Sequence, residues 1–341
     1  MAAQASGRTW WVRPGRRVSA ADRAAALAHV RALEAAVPAA GVEEAAARVR
    51  DTLLFKRFAD EALQVAAARG LPDTPVLATL LPVEALDGHL MPVAGVAGAL
   101  AIVLSDRLPR FLDRLAAALA ALMPSVEPQG QDWHVPEAAP RWPERLGLDA
   151  PGVSGFLDAM LEVLSGMVDD RAPAVPRDLP WSAAAMRDAM GTFLVARHVA
   201  HLALGHVERA SFASADAGAQ ELDVLGFSGD QDEEADELGL ALALGTPGLK
   251  GRGPLAVWGI DALLSSFAMV EFLDAQSEDD SEAFDTPADT PWGQRRAALW
   301  PNDGEVRPDG EDVFALARGL SPILVACWRH LARIALEQER H

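Results

Sequence analysis

Three histidines stand close together in a stretch of the chain whose apolar spacing is typical of a helix. His198, His201 and His206 lie within the run RHVAHLALGH. Residues three or four apart on a helix share a face, so His198 and His201 converge. If the helix continues to about Glu208, as its spacing predicts, His206 points elsewhere. Two converging imidazoles supply half of a typical zinc site, which needs further ligands from another element.

A carboxylate-rich segment, DEEAD, follows at residues 232–236. Asp232 and Asp236 are one helical turn apart, so both carboxylates can face the helix that carries the histidines. Imidazole and carboxylate together are ligands that suit Zn²⁺. The two segments therefore predict a site in which histidines of one helix meet carboxylates of the next.

Together, RHVAHLALGH and DEEAD resemble the paired motifs of the gluzincin zinc metallopeptidases, in particular the prenyl-protein-endopeptidase-like and phage-exclusion-peptidase-like groups. Their patterns are H-E-x-x-H-x-x-x-G-H on one helix and E-x-x-A-D on another. The resemblance implies a zincin-like scaffold in which both histidines of H-E-x-x-H and the later Glu bind zinc, while the first Glu is the general base. The metal positions fall on Arg197, His201 and Asp232. The base position falls on His198, the candidate catalytic residue, and His206 completes the motif in a structural role.

Of the positions that carry the family's chemistry, only His201 keeps its residue type. Arg197 cannot ligate zinc, because a guanidinium has no free lone pair below pH ~12 and its charge repels the cation. His198 can accept a proton but differs from a carboxylate in charge and reach. The chain contains no Tyr, so the phenol that many gluzincins use to stabilise an oxyanion is absent.

Two hypotheses about function follow. In the first, the Arg197 guanidinium occupies the space of the metal and pairs with Asp232 and Asp236. The protein is then non-catalytic, has no cofactor, and binds a protein or peptide in the former cleft by addition to a sheet edge. In the second, His198, His201 and Asp232 bind zinc in an active peptidase or hydrolase, and Arg197 turns away or contacts the substrate.

The elements that must position these residues are mainly helical. Residues 1–74 predict an N-terminal helical segment, and residues 75–341 predict the metallopeptidase-like domain, the whole forming one compact unit. From residue 75, short apolar runs separated by turns such as Asp87-Gly88 predict a small sheet of two or three strands. Residues 210–231 are polar and predict a loop. The expected fold class is mainly α with a small β-sheet, α+β.

Two further segments extend the resemblance. The run ALAIVLSDRLPRFLDRL resembles the strand and helix that precede the zinc helix and line the substrate cleft in that family. The run DTPWGQRR resembles the family's H-P-x-x-x-x-R element, with Thr290 in place of His. The resemblance then covers about half of the chain.

The charge of the chain restricts its partners. Lys and Arg number 30 against 49 Asp and Glu, a formal net charge of −19. Such a surface repels nucleic-acid phosphates and anionic lipids, so we expect neither nucleic acid nor membrane as a partner. The acidic residues 216–237 include no Lys or Arg and are typical of a solvated loop or of a docking surface for a basic partner. The N-terminal run has no apolar core of a signal peptide, which predicts a cytoplasmic protein.

Overall fold

The chain falls into two compact units in a computed structural model. The structure describes residues 19–37, 41–71, 76–93, 96, 98–122, 127–129, 132–134, 151–165, 180–277, 284 and 286–300. The first unit comprises residues 1–108 and 194–242, and the second comprises residues 109–193 and 243–341. The first unit thus includes residues on both sides of position 74, and the division at that position stays a prediction.

Two helices begin the first unit. They are α1 (Ala20–Ala36) and α2 (Val42–Ala68). Ser19 caps α1, since its hydroxyl accepts a hydrogen bond from the Asp22 amide at 3.1 Å, which satisfies one of the unpaired donors of the first turn. Both helices pack against the first strand of the sheet, and α1 contributes Ala26 and Val30 to a buried apolar cluster.

A five-stranded mixed sheet lies in the same unit. Its strands are β1 (Val76–Leu81), β2 (His89–Pro92), β3 (Leu100–Ser105), β6 (Ser211–Ala217) and β7 (Gln220–Gly226), in the order β1-β3-β2-β7-β6. β1 and β3 are parallel, and the other neighbouring pairs are antiparallel. The mainly helical α+β class is therefore confirmed.

The size of the sheet differs from the prediction. Most of residues 210–231, predicted as a polar loop, form the β6–β7 hairpin, whose turn Gly218-Ala219 has Gly218 at φ 63°. β6 reads SFASADA, and small polar residues have weak strand propensity, so the pattern hides the strand. A two-residue turn that begins with a left-handed glycine is the signal that identifies this hairpin.

One face of the sheet carries a buried apolar cluster. It includes side chains from α1, from β1 to β3 and from the hairpin: Ala26, Val30, Leu81, Val83, Met91, Val93, Val96, Ala99, Ala101, Val103, Ala217, Leu222 and Val224. In the hairpin, the members of this cluster alternate with exposed residues, as expected for a strand pair with one buried face. The cluster fixes which hairpin side chains face away from the core.

The remaining elements lie wholly or partly in the second unit. They are α3 (Leu108–Leu122), β4 (Glu127–Gln129), β5 (Asp132–His134), α4 (Pro151–Ser165), α5 (Pro180–Ala203), α6 (Gly229–Leu244), α7 (Gly253–Ser277) and α8 (Pro291–Leu299). The C-terminal half of α5 and most of α6 belong to the first unit. By length and hydropathy, residues 253–275 of α7 pass the test for a membrane span, but 83% of the tested window is buried inside the protein, as in a core helix.

Candidate functional site

Helix α5 carries three of the predicted site residues, and all three lie in the first unit. Arg197, His198 and His201 all lie on its C-terminal half and are all buried. The helix then ends at Ala203, because Gly205 adopts the left-handed conformation at φ 71°, a common way for a helix to stop.

The position of His206 corrects the sequence analysis. A helix that continued to Glu208 would turn His206 away from His201. The helix instead stops and a short 3₁₀ turn, His206–Glu208, follows. This turn brings His206 Nδ1 to 3.1 Å from His201 Nδ1. The signal for the early stop was Gly205 itself, which favours helix termination.

Helix α6 begins with a reciprocal cap at Ser228. The Gln231 amide donates to the Ser228 hydroxyl at 3.4 Å, and the Ser228 amide donates to Gln231 Oε1 at 2.9 Å, which is a capping box. From this start, Asp232, Asp236 and Gly239 fall on one face at spacings of four and three residues. That face is the one that meets α5.

Gly239 permits a close approach of the two helices. A Cβ atom at this position would lie 2.8 Å from the Arg197 Cα and 2.9 Å from the Arg197 amide nitrogen. These are backbone atoms that cannot move aside without shifting a helix. The absence of a side chain at Gly239 therefore brings the carboxylates of α6 within reach of Arg197.

The guanidinium of Arg197 binds three carboxylates. Its Nε donates to Asp236 at 3.0 Å, its Nη1 to Asp87 at 2.7 Å, and its Nη2 to Asp232 at 2.9 Å. The Arg197 side chain is only 3% exposed, and Asp236 is fully buried. The structure thus brings together Arg197, Asp232 and Asp236, as the first hypothesis expects, and adds a third carboxylate.

This environment keeps Arg197 charged. Burial alone lowers its pKa, but the negative charges of Asp236, Asp87 and Asp232 outweigh burial and raise the pKa above its usual value. With all three carboxylates ionised, the formal charge of the group is −2. A buried group of this kind is strongly destabilised when its cation is removed, because desolvated carboxylates then repel one another.

Asp87 reaches the site from a turn of the sheet. Gly88, the next residue, has φ 78°, and a Cβ there would lie 2.4 Å from the Val103 carbonyl oxygen. Only glycine fits such a position without strain. The Asp87-Gly88 turn is visible in the sequence, but it stands 110 residues before Arg197, so no local pattern links the two.

His198 is held by the same turn. Its Nε2 lies 2.8 Å from the Asp87 carbonyl oxygen, and since a carbonyl can only accept, Nε2 carries the proton. The other nitrogen, Nδ1, is buried and has no hydrogen-bond partner among the residues that the structure describes. Burial, followed by the charge of Arg197, holds the pKa of His198 well below its usual value. The imidazole is therefore neutral near pH 7.

His201 stands at the centre of a chain of polar contacts. Its Nε2 lies 3.3 Å from Asp232 Oδ1, its Nδ1 contacts His206, and His206 Nε2 lies 2.9 Å from Glu234. Phe227, which follows β7, stacks on the His201 ring with centroids 3.8 Å apart. Burial lowers the pKa of His201 to about 4. Glu234 is 62% exposed, so the chain leads from the buried cluster to solvent.

The contact of His201 with Asp232 is longer than the other two. At 3.3 Å, His201 Nε2 lies within ion-pair distance of Asp232, but this buried nitrogen makes no hydrogen bond to the residues that the structure describes. The contact between the Nδ1 atoms of His201 and His206 is a hydrogen bond and needs one proton between the two nitrogens, so one ring donates and the other accepts.

The zinc set of the second hypothesis is not assembled in this arrangement. Within the described part of the chain, no group of three or more His, Cys, Asp and Glu is placed to hold a metal ion. His198 is turned to the Asp87 carbonyl, and the Asp232 oxygen nearest His201 already accepts from Arg197. The donor set, as it stands, does not fit zinc.

The two segments that extend the resemblance have other roles. β3, the strand expected beside a cleft, is paired on both sides, with β1 and with β2, so its backbone cannot accept a peptide. Thr290 caps α8 by accepting from the Gly293 amide at 3.1 Å, and Arg296 binds Asp261. Both contacts lie within the second unit and serve its local structure.

Comparisons with known proteins do not assign this chain to a family. No protein-family model matches the chain, and neither the search of curated proteins nor that of solved structures finds a significant match.

Proposed function

We propose that this chain is a non-catalytic peptide-binding protein on a zincin-like scaffold, in which the Arg197 guanidinium holds the position of the metal. The observation that carries the proposal is the contact of one buried guanidinium with Asp87, Asp232 and Asp236. A cation then stands between the helices that correspond to the two motif helices of the family. The guanidinium offsets part of the charge of the three carboxylates and, unlike a metal ion, cannot dissociate from the chain.

Such a centre lacks what hydrolysis requires. A catalytic zinc keeps an open position at which it lowers the pKa of a bound water. A guanidinium cannot coordinate a water molecule and lower its pKa as zinc does. The Nε, Nη1 and Nη2 atoms of Arg197 instead donate hydrogen bonds to carboxylates. His198 is a poor general base near pH 7, because its pKa is strongly lowered and its free nitrogen is buried.

An exposed sheet edge supports the binding half of the proposal. β6 is the last strand in the order β1-β3-β2-β7-β6. It begins directly after the turn that holds His206, and its partner β7 ends beside Phe227, which stacks on His201. An extended peptide can add to a free edge through main-chain hydrogen bonds, which requires no metal.

The test measures binding and cleavage together. A positional-scanning library of labelled peptides is incubated with tag-free protein, in buffer containing either zinc or a chelator. We expect saturable binding that the chelator leaves unchanged, and intact peptides by mass spectrometry. The zinc-peptidase hypothesis with His198, His201 and Asp232 predicts the reverse: cleavage that needs zinc and is lost in His201→Ala. That result would overturn the proposal.

A further inference from the structure

The outer side of β6 offers unpaired backbone groups. The pair Ala217 and Gln220 closes the two-residue turn and so exchanges hydrogen bonds across the hairpin, with alternate pairs doing the same. By this alternation, the N–H and C=O groups of Phe212 and Ser214 point outward. In the described part of the chain, this side of β6 meets a single bridge, from Val83 to Ala217. Residues 211–215 form the free length of the edge.

This edge lacks the usual protection against pairing. Natural edge strands are commonly guarded by lysines, prolines, bulges or short length. β6 is seven residues long, contains no Lys or Pro, and pairs with β7 in an unbroken register. The edge at the other end of the sheet differs, since five of the six residues of β1 are buried. β6 is therefore the edge that solvent and a partner can reach.

The surface around the edge is acidic, with one apolar anchor. Asp216 on β6 and Glu221 and Asp223 on β7 are exposed, on the face opposite the buried cluster. Phe212, on that same face, is 56% exposed. Residues 210–249 contain no Lys or Arg. A bound strand lies ~4.8 Å beyond β6, and every second side chain projects over this face.

From this surface we infer that the peptide is basic and extended, and that it pairs with the outer edge of β6. Lys or Arg at alternate positions faces Asp216, Glu221 and Asp223, and an apolar residue contacts Phe212. This inference rests on the peptide-binding half of the proposed function and names the partner's chemistry. It does not depend on the absence of catalysis.

The probe is a fluorescent nonapeptide with Lys at alternate positions and Thr or Val between them. Binding is followed by fluorescence anisotropy with the full-length protein. We expect saturable binding at low salt, at least tenfold weaker in 500 mM NaCl, because ionic contacts at a surface are screened. Two control peptides should each bind at least tenfold more weakly: one with Glu for every Lys, and one with N-methylated amides along one edge.

Protein variants separate edge pairing from general attraction. Ser214→Pro removes one outward N–H and should weaken binding at least tenfold. Ser214→Ala keeps the N–H and loses only the hydroxyl that donates to Glu221, so it should weaken binding far less than Ser214→Pro. The pair Asp216→Asn with Glu221→Gln should weaken binding. The matched pair Asp230→Asn with Glu237→Gln removes the same charge from α6 and should leave it near wild type. Circular dichroism checks that each variant is folded, and the N-methylated peptide tests pairing without altering the protein.

The outcomes distinguish this inference from the proposed function. Preference for the basic peptide, together with sensitivity to N-methylation and to the β6–β7 charge pair, supports it. Equal effects of the two charge pairs, or tighter binding of the Glu peptide, would overturn the partner assignment while peptide binding itself stands. If neither these probes nor the library peptides bind, the assignment and the binding half of the proposed function both fail.

Discussion

One buried side chain, Arg197, organises the candidate site. The pairing of Arg197 with Asp232 and Asp236 could be predicted from the sequence, since a helical turn separates the two carboxylates and Arg197 falls at a metal position of the motif that RHVAHLALGH resembles. The contribution of Asp87 could not, because nothing in a local pattern connects a turn of the sheet to a helix 110 residues later. The contact between His201 and His206 was hidden by an assumed continuous helix.

Removal of the guanidinium should be costly. Arg197→Met keeps the apolar stem but leaves three carboxylates close together and partly desolvated. We expect the free energy of unfolding, measured by urea denaturation, to fall by about 3–5 kcal/mol. Arg50→Met is the control: Arg50 is 74% exposed and pairs only with its neighbour Asp51 among the described contacts, so little should change. Equal stability of the two variants would contradict the role of Arg197.

The histidine chain should make stability depend on pH. The pKa of His201 is about 4 in the folded protein against an ordinary value of 6.5, so between these pH values the unfolded chain holds the extra proton. Stability therefore rises with pH across this window and is lost as the pH falls from 6.5 towards 4, by up to about 3 kcal/mol. His198 acts in the same direction.

The variant that isolates this effect is His201→Gln, which cannot titrate. Unfolding free energies are measured from pH 4 to pH 7 for both proteins. The unfolding free energy of the wild type should rise more steeply with pH than that of the variant. Where His201 is protonated only in the unfolded chain, the difference in slope corresponds to nearly one proton taken up on unfolding. Parallel curves would show that His201 is not held neutral by its surroundings.

At the scale of elements, the site depends on how closely α6 approaches α5. The helices themselves follow from sequence periodicity, and their existence was predictable. Their ends were less so: Gly205 stops α5 early, and the cap at Ser228 starts α6 before Asp232. The β6–β7 hairpin was missed because its first strand lacks β-branched residues, and its pairing with β2 joins distant parts of the chain.

A methyl group at Gly239 tests the approach of the helices. In Gly239→Ala the new Cβ meets the Arg197 backbone at 2.8 Å, so α6 must shift and its carboxylates move from the guanidinium. We expect a loss of about 1–3 kcal/mol in unfolding free energy. Gly229→Ala lies on the same helix with nothing within 4 Å and should not destabilise. The close approach is refuted if thermal denaturation shows Gly239→Ala to be as stable as Gly229→Ala.

At the scale of the whole molecule, the candidate site belongs entirely to the first unit. Its side chains come from the turn after β1 and from residues 197–236, and residues 109–193 of the second unit intervene in the sequence. The net negative charge follows from the composition, and the turn residues between short apolar runs predicted a small sheet. The sequence did not predict that residues 194–242 join residues 1–108 in one unit, because pairing between distant segments leaves no local pattern.

The central claim of the proposed function is that a guanidinium takes the place of a metal ion, and zinc content tests it most directly. Arg197→His removes the cation and places an imidazole four residues before His201, on the same helix face and opposite Asp232. Tag-free wild type, Arg197→His, His201→Ala and Arg197→His with His201→Ala are dialysed against a weak chelator with limiting zinc and submitted to elemental analysis. We predict no stoichiometric zinc in the wild type, about one zinc per chain in Arg197→His, and its loss in the double variant. One zinc per chain in the wild type, removed by His201→Ala, would contradict the account.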